Sequence, residues 1–178
     1  MIATTWNVTA EERAAHLPCD DLMPGATRLD RAISIAAPRA VVFAWLCQLR
    51  VAPYSYDLLD NTGRRSPRRR SDELTDLAVG QPFVQIFGRT YVFELASFAH
   101  NEHITLRPLA GSVMSRFGKV SNTYAVRTEG NGARLHVRVL FDGPRLMGQA
   151  LAMVNLLMMR KQLLTLKSLA ERDALIAP

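Results

Sequence analysis

The chain has 178 residues, of which 48% are hydrophobic and 21% charged, as expected for one globular domain with a substantial core. Five arginines between Arg64 and Arg70 account for most of the net charge of +6, and no aromatic residue interrupts them, which argues against a nucleic-acid-binding protein. Without a signal-peptide pattern, a membrane span or a CxxC motif, the sequence predicts a cytoplasmic protein whose Cys19 and Cys47 are reduced.

Residues 1–27 predict an N-terminal arm that packs on a single domain formed by residues 28–178. Thr9 and Glu12 have the spacing of a capping box, so a short helix is expected up to Ala15. The run Leu17–Leu22 ends this helix. The arm has too few apolar residues to form a domain, and we expect it to cover the exposed apolar side of the last helix.

The domain is predicted to begin with a strand over Arg31–Ala36, where Ile33 and Ile35 alternate with other residues. Pro38 suits the first position of a short amphipathic helix, which should continue to about Leu49. The segment Tyr54–Asn61 is rich in side chains that can form hydrogen bonds. A second short helical turn is expected at Ser71–Leu74, with Ser71 as its cap.

Strand patterns follow from Gly80 onwards, and short connections between them predict an antiparallel sheet. Gly130–Gly132 has the composition of a tight hairpin turn. In the last strand Leu135 and Val137 alternate with His136 and Arg138, which predicts one buried face and one face in solvent. The five predicted strands are at residues 82–87, 89–98, 102–107, 120–128 and 133–142.

A long helix is predicted from about Leu146 to Leu175, with Leu163, Leu166 and Leu169 on one face. Asn155 falls on this core-facing side, and a buried amide there requires a partner. Water or a ligand in a cavity would supply that partner, and so would a protein group in a dry core. The outer side of Ala150–Leu157 is apolar as well, which suits a surface for a partner or for a second copy in a homodimer.

These elements predict an α+β fold in which a curved antiparallel sheet wraps around one long C-terminal helix, with two short helices after the first strand. A curved sheet closing on a helix leaves a gap unless side chains fill it. This gap is the expected ligand site.

Several segments resemble the SRPBCC superfamily, which includes START-like and birch-pollen-allergen-like proteins and bacterial polyketide cyclase/dehydrase-like members. The resemblance is densest over Leu17–Gly80, and Tyr54–Asn61 is its most specific part. It implies a helix-grip fold whose cavity binds a hydrophobic small molecule such as a lipid, an isoprenoid or an aromatic polyketide. Cys19 and the run Leu49–Pro53 depart from the family pattern, and we expect the entrance to the cavity to differ accordingly.

No catalytic, phosphate-loop, dinucleotide or metal-binding motif is present, and no cofactor is expected. The tyrosines with Asp57 would serve acid–base chemistry if they shared a pocket, whereas Asp57 and Asn61 in a structural role would pin their loop. Strand parity and loop position assign Arg89, Arg107 and Arg138 mostly to solvent, and Arg116 is the best placed for a ligand carboxylate. The predicted ligand-binding residues are Trp45, Tyr54, Tyr56, Asp57, Asn61, Tyr91, Phe93, Arg116, Phe117, Tyr124, Asn155 and Met159.

Three hypotheses follow. The first is a non-catalytic binder or carrier of a hydrophobic small molecule. The second is an enzyme of the cyclase/dehydrase type, which requires Tyr and Asp or Arg groups in one pocket. The third is an interaction or self-associating module that uses the apolar outer side of the last helix.

Overall fold

A computed structural model describes residues 4–60, 63–86, 90–112, 119–143 and 145–176. Its strands are β1 (Thr5–Trp6), β2 (Thr27–Ile35), β3 (Pro82–Ile86), β4 (Thr90–Ala99), β5 (His103–Pro108), β6 (Lys119–Glu129) and β7 (Gly132–Asp142). Its α-helices are α1 (Ala10–Ala14), α2 (Pro18–Leu22), α3 (Arg39–Cys47), α4 (Asp57–Asp60) and α5 (Arg145–Ile176), and 3-10 helices span Gln48–Arg50 and Asp72–Thr75.

The seven strands form one sheet in the order β1-β2-β7-β6-β5-β4-β3. Every neighbouring pair is antiparallel except β1 and β2, which are parallel. The 32-residue α5 packs against β2 and α3 and buries Leu163, Leu166 and Leu169, the face predicted from the sequence. The protein therefore has the predicted α+β helix-grip fold, with two short helices following β2.

The structure extends the first predicted strand towards the N-terminus. β2 begins at Thr27, four residues before the predicted start, and pairs with β7 without interruption from Thr27 to Ile35. Leu29 in the added part has the same strand parity as Ile33 and Ile35, but Arg31 interrupts that apolar face between them. The start of β2 is set by its pairing with β7, and a local sequence pattern carries no information about that pairing.

Gln48 takes the role predicted for the side chain of Ser71. The Ser71 side chain forms no capping hydrogen bond, so that expectation was wrong. Instead the Gln48 amide accepts a hydrogen bond from the Ser71 N–H (3.1 Å) and donates one to the Ser71 carbonyl (3.0 Å). This contact joins the end of α3 to the start of the second 3-10 helix.

The outer face of the sheet is covered by protein rather than by solvent. Arg138, His136 and Arg134 are all buried, and the Arg138 side chain has 0% exposure, so the predicted solvent face of β7 was wrong. The cover comes from α1 and α2, which pack on β6 and β7 and not on α5. The expectation that this part of the arm covers the last helix was also wrong. The division into an arm and a domain stays a prediction.

The guanidinium of Arg138 joins the sheet to the arm. Its Nε donates to Asp30 Oδ1 of β2 (2.8 Å), and its Nη1 donates to Asp20 Oδ2 of α2 (2.7 Å). Burial disfavours the charged guanidinium, but the two carboxylates outweigh that effect and raise the pKa of Arg138. The remaining donors are taken by backbone carbonyls at and after the end of α1, those of Glu12, Arg13 and Ala15.

Glu12 of α1 forms a second buried ion pair with the sheet. Arg134 donates from Nε and Nη2 to the two carboxylate oxygens of Glu12, at 2.8 and 3.0 Å. Glu12 also closes the predicted capping box with Thr9. Burial alone would raise the pKa of Glu12, but the hydrogen bonds from Arg134 and Thr9 and the charge of Arg134 lower it to about 2.

We expect Arg138→Met to lower the free energy of unfolding by about 3–5 kcal/mol, because it removes the buried guanidinium that bridges the carboxylates of Asp30 and Asp20. Chemical denaturation followed by circular dichroism measures this loss. The matched control is Arg107→Met, since Arg107 pairs with Glu94 at a half-exposed position and its loss should cost at most about 1 kcal/mol. Equal losses in the two variants would show that the buried network does not hold the arm.

The lowered pKa of Glu12 predicts a pH dependence of stability. Its contribution is complete above the ordinary pKa of about 4.5 and is lost as the pH falls towards 2, where the folded protein also takes up the proton. The loss is on the order of 3 kcal/mol. Denaturation curves of Glu12→Gln should therefore show lower stability at pH 7 and a flatter slope between pH 4.5 and 2, whereas exposed Glu73→Gln keeps the original slope. If Glu12→Gln retains the steep fall in stability between pH 4.5 and 2, another group and not Glu12 is responsible for it.

Candidate functional site

The layer between the sheet and α5 contains one polar contact that links three parts of the fold. Tyr124 of β6 is buried, and its hydroxyl donates to Gln162 Oε1 of α5 (2.8 Å). Gln162 Nε2 in turn donates to the carbonyl of Pro53 (2.6 Å). Met159 Sδ lies 3.9 Å from the same hydroxyl. Burial raises the pKa of Tyr124 despite the Gln162 contact, so this phenol stays protonated.

The helix α5 runs along β6 in the same direction. Its start follows β7, whose end at Asp142 pairs with the start of β6 at Lys119. Its far end lies beside the end of β2, because Glu171 Oε1 accepts the Ala36 N–H at 2.8 Å. Residues that precede Met159 in α5 therefore lie towards the same end of the sheet as residues that precede Tyr124 in β6.

Two asparagines precede these residues, one on the helix and one on the strand. Asn155 lies one turn before Met159 on the same helix face, and Asn122 lies two residues before Tyr124 on the same strand face. Asn122 is 7% exposed. The side-chain oxygens of both residues are buried and have no hydrogen-bond partner in the part of the chain that the structure describes. A buried amide oxygen without a partner costs about 1–3 kcal/mol, so water or a ligand is expected to supply one.

The surroundings of Asn122 are apolar. Its cross-strand neighbours are Leu106 and Val139, both in the main core cluster. Phe93 of β4 is buried in the same cluster, and half-buried Tyr91 shares its strand face. The Asn122 amide therefore lies in predominantly apolar surroundings, as expected of a site that orients a hydrophobic molecule by a few polar contacts.

A separate cleft of about 410 Å³ lies on the other side of α5. Its walls are residues 54–58, the loop residues Ser66 and Arg68, and Lys161 and Thr165 of α5. Ser55 Oγ donates to the Met158 carbonyl (3.1 Å), which holds the first wall on the helix. The carboxylate of Asp57 accepts the N–H and the hydroxyl of Ser66, at 3.1 and 2.6 Å.

The structure therefore divides the predicted site residues between two places. Tyr54, Tyr56 and Asp57 line the outer cleft. Trp45 is fully buried, donates its indole N–H to Asp173 Oδ2 (3.0 Å) and packs edge-on against Tyr54. The residues placed in the sheet–helix layer or on its strand face are Tyr91, Phe93, Tyr124, Asn155 and Met159, while Asn61, Arg116, Phe117 and also Arg89 lie outside the described residues. The binding roles of all these residues stay predictions.

Sequence reasoning did not select Asn122, Gln162, Arg68 or Lys161 as site residues. Asn122 shares strand parity with Tyr124, which was a usable signal once β6 was known to face α5. Gln162 precedes Leu163 in the helix and gave no comparable signal. Arg68 and Lys161 are far apart in the chain and meet only in the folded protein.

The geometry does not bring the four tyrosines together as the acid–base hypothesis requires. Tyr124 donates to Gln162 in the interior, whereas Tyr54 and Tyr56 line the outer cleft. Asp57 shares that cleft, but both of its oxygens accept hydrogen bonds from Ser66, which is the loop-pinning role. Burial raises the pKa of Cys19 to about 11 and that of Cys47 to about 12, so neither thiol is activated as a nucleophile.

Within the described ranges, no three His, Cys, Asp or Glu side chains are grouped to hold a metal ion. No helix in those ranges combines the length and apolar character needed to cross a bilayer.

The outer side of α5 exposes Met153, Val154 and Leu157, the last with 55% of its surface. Use of this surface for self-association stays a prediction.

No protein-family model and no curated protein matches the chain. Solved structures with a similar fold include a protein from Nitrosomonas europaea, 12% identical, with a TM-score of 0.54 over 82% of this chain and 95% of that chain. A protein from Arthrobacter aurescens, solved in solution, is 12% identical with a TM-score of 0.54 over 83% and 87%. A protein from Mesorhizobium loti is 14% identical with a TM-score of 0.52 over 82% and 97%. These similarities concern the fold alone.

The interior hydrogen bond gives a direct test of the sheet–helix contact. Tyr124→Phe should lower the free energy of unfolding by about 1–3 kcal/mol, because it leaves Gln162 Oε1 buried without a donor. Tyr56→Phe is the matched control, since Tyr56 is exposed and its variant should stay within about 0.5 kcal/mol of the original protein. Denaturant unfolding measures both, and an unchanged Tyr124→Phe would contradict the contact.

Proposed function

We propose that the protein binds a hydrophobic small molecule carrying a hydroxyl group, in the layer between the sheet and the N-terminal half of α5. The observation that carries the proposal is the pair of buried side-chain oxygens of Asn122 and Asn155 without a partner in the described residues, with Asn122 in apolar surroundings. A hydroxyl suits this layer because it can donate a hydrogen bond to either amide oxygen, and a ligand with two hydroxyls can donate to both. Hydroxylated lipids, isoprenoids and aromatic polyketides have this chemistry.

Binding is better supported than catalysis by the same residues. Tyr124 is committed to Gln162, and its raised pKa opposes loss of its proton. Asn122 and Asn155 do not titrate, so they can orient a ligand but cannot act as a general acid or base. We therefore assign the protein a carrier or sensor role within an SRPBCC-like helix-grip scaffold, in agreement with the sequence resemblance, and not a cyclase or dehydrase reaction.

The proposal predicts that binding depends on a hydroxyl and on the two asparagines. 2-Naphthol should bind about tenfold more tightly than naphthalene, the difference expected of one hydrogen bond in an apolar site. Fluorescence titration measures both constants. Asn122→Leu and Asn155→Leu should remove the preference for 2-naphthol, whereas Asn131→Leu, at an exposed hairpin turn, should retain it. A preference that persists in both interior variants, or no binding of either compound, would contradict the proposal.

Thermal unfolding of the ligand-free variants separates a binding role from a structural one. If the Asn122 amide lacks a protein partner, Asn122→Leu removes a buried unpaired group and should leave the melting temperature equal or higher. A large fall in melting temperature would show that the amide has a structural partner. Native mass spectrometry of gently purified protein, followed by organic extraction, then identifies any co-purified compound.

A further inference from the structure

The cleft on the outer side of α5 is independent of the interior layer. Residues two positions apart on an α-helix point about 200° apart, so Lys161 and Thr165 point away from Met159 and Leu163. We propose that this cleft binds a phosphate group, either inorganic phosphate or the phosphate of a monoester, through Arg68, Lys161 and the hydroxyl of Tyr54. This is a second site, which no part of the proposed interior function requires.

Two cations of the cleft are not neutralised by acids. Within the described residues neither Arg68 nor Lys161 forms an ion pair with a carboxylate. Asp57 is the acid among the described lining residues, and Ser66 already donates two hydrogen bonds to it. The cleft therefore carries an excess of one positive charge. Arg172, which donates to the Arg68 carbonyl, is paired with Asp173 and is not counted.

Tyr54 adds a neutral donor that lacks a partner. Its side chain is 1% exposed, and its hydroxyl has no hydrogen bond within the described part of the chain. Tyr54, Asp57 and Arg68 all line the cleft, and the charges of the last two act on the Tyr54 hydroxyl. Burial and the charge of Asp57 raise the pKa of Tyr54, and the smaller effect of Arg68 lowers it. Because the pKa is raised overall, the phenol stays protonated and can donate a hydrogen bond. A buried donor without an acceptor is expected to meet one in the ligand.

The donor set fits phosphate better than a single carboxylate. A guanidinium can donate two parallel hydrogen bonds to one face of a phosphate, while an ammonium and a phenol supply single donors from other directions. Three donor groups match the three terminal oxygens of a phosphate monoester. Three other hydroxyls of the cleft are committed, since Ser55 donates to the Met158 carbonyl, Thr165 to the Lys161 carbonyl and Ser66 to Asp57. The cleft of about 410 Å³ leaves room for an organic group beyond the phosphate.

Isothermal titration calorimetry with sodium phosphate, at low ionic strength, tests the site. We expect saturable binding with one phosphate per chain, weakened roughly tenfold or more in Lys161→Gln and in Arg68→Gln, because a hydrogen bond to a charged group is lost. Tyr54→Phe should weaken binding several-fold. The matched control is Arg160→Gln, which removes the same charge one residue away, where Arg160 lies over the Trp6 ring; its binding should stay within twofold.

Two outcomes would overturn the site. One is the absence of saturable phosphate binding, and the other is an equal loss in Lys161→Gln and Arg160→Gln, which would indicate general attraction to a basic surface. Circular dichroism melting of each variant confirms that it is folded. The binding of 2-naphthol should be unchanged in Lys161→Gln, so that failure of this proposal and failure of the interior proposal are told apart.

Titrations with glycerol 3-phosphate and with dihexanoyl phosphatidic acid distinguish the sources of the phosphate. Tighter binding of glycerol 3-phosphate than of inorganic phosphate assigns the cleft to a soluble monoester. Tighter binding of the short-chain lipid than of glycerol 3-phosphate assigns it to a lipid headgroup. Equal binding of all three ligands would show that the cleft recognises the phosphate group alone. In each case the binding must weaken in Lys161→Gln for the assignment to hold.

Discussion

The buried guanidinium of Arg138 is the interaction on which the outer half of the structure depends. A charge with no solvent contact is tolerated only when opposite charge and hydrogen bonds replace water. Asp30 on the neighbouring strand and Asp20 on the arm supply the charge, and carbonyls at the end of α1 take the remaining donors. The arm is therefore held by a set of directional polar contacts, which gives it one position on the sheet.

This cover changes what the sheet can do. With α1 and α2 over the outer face, most residues of β7 are buried on both sides, and the inner face remains for α5. The helix is held at its far end by Glu171 and in its middle by Gln162, while the side-chain oxygen of Asn155 in its first half has no partner within the described residues.

The two candidate sites share α5 but use different chemistry. The interior site has uncharged amides in apolar surroundings, and such groups select a ligand by hydrogen-bond geometry. The outer cleft has two cations and a phenol beside one occupied carboxylate, and such groups select by charge. The long helix can serve both because its faces are separated by half a turn.

Much of the fold was accessible from the sequence because its signals are local. Hydrophobic periodicity predicted α5 and its core face, alternation predicted the five strands after Gly80, and the Thr9–Glu12 spacing predicted the cap of α1. The burial of Arg138, His136 and Arg134 was decided only in the tertiary structure, because an alternating strand shows two faces and not what covers them. The burial of the side-chain oxygens of Asn122 and Asn155 and the meeting of Arg68 with Lys161 at one cleft depend on the direction and position of α5 against distant segments. Local periodicity determines which residues form an element and which of its faces is apolar, and only long-range packing decides which polar side chains lose water and which neighbours they then meet.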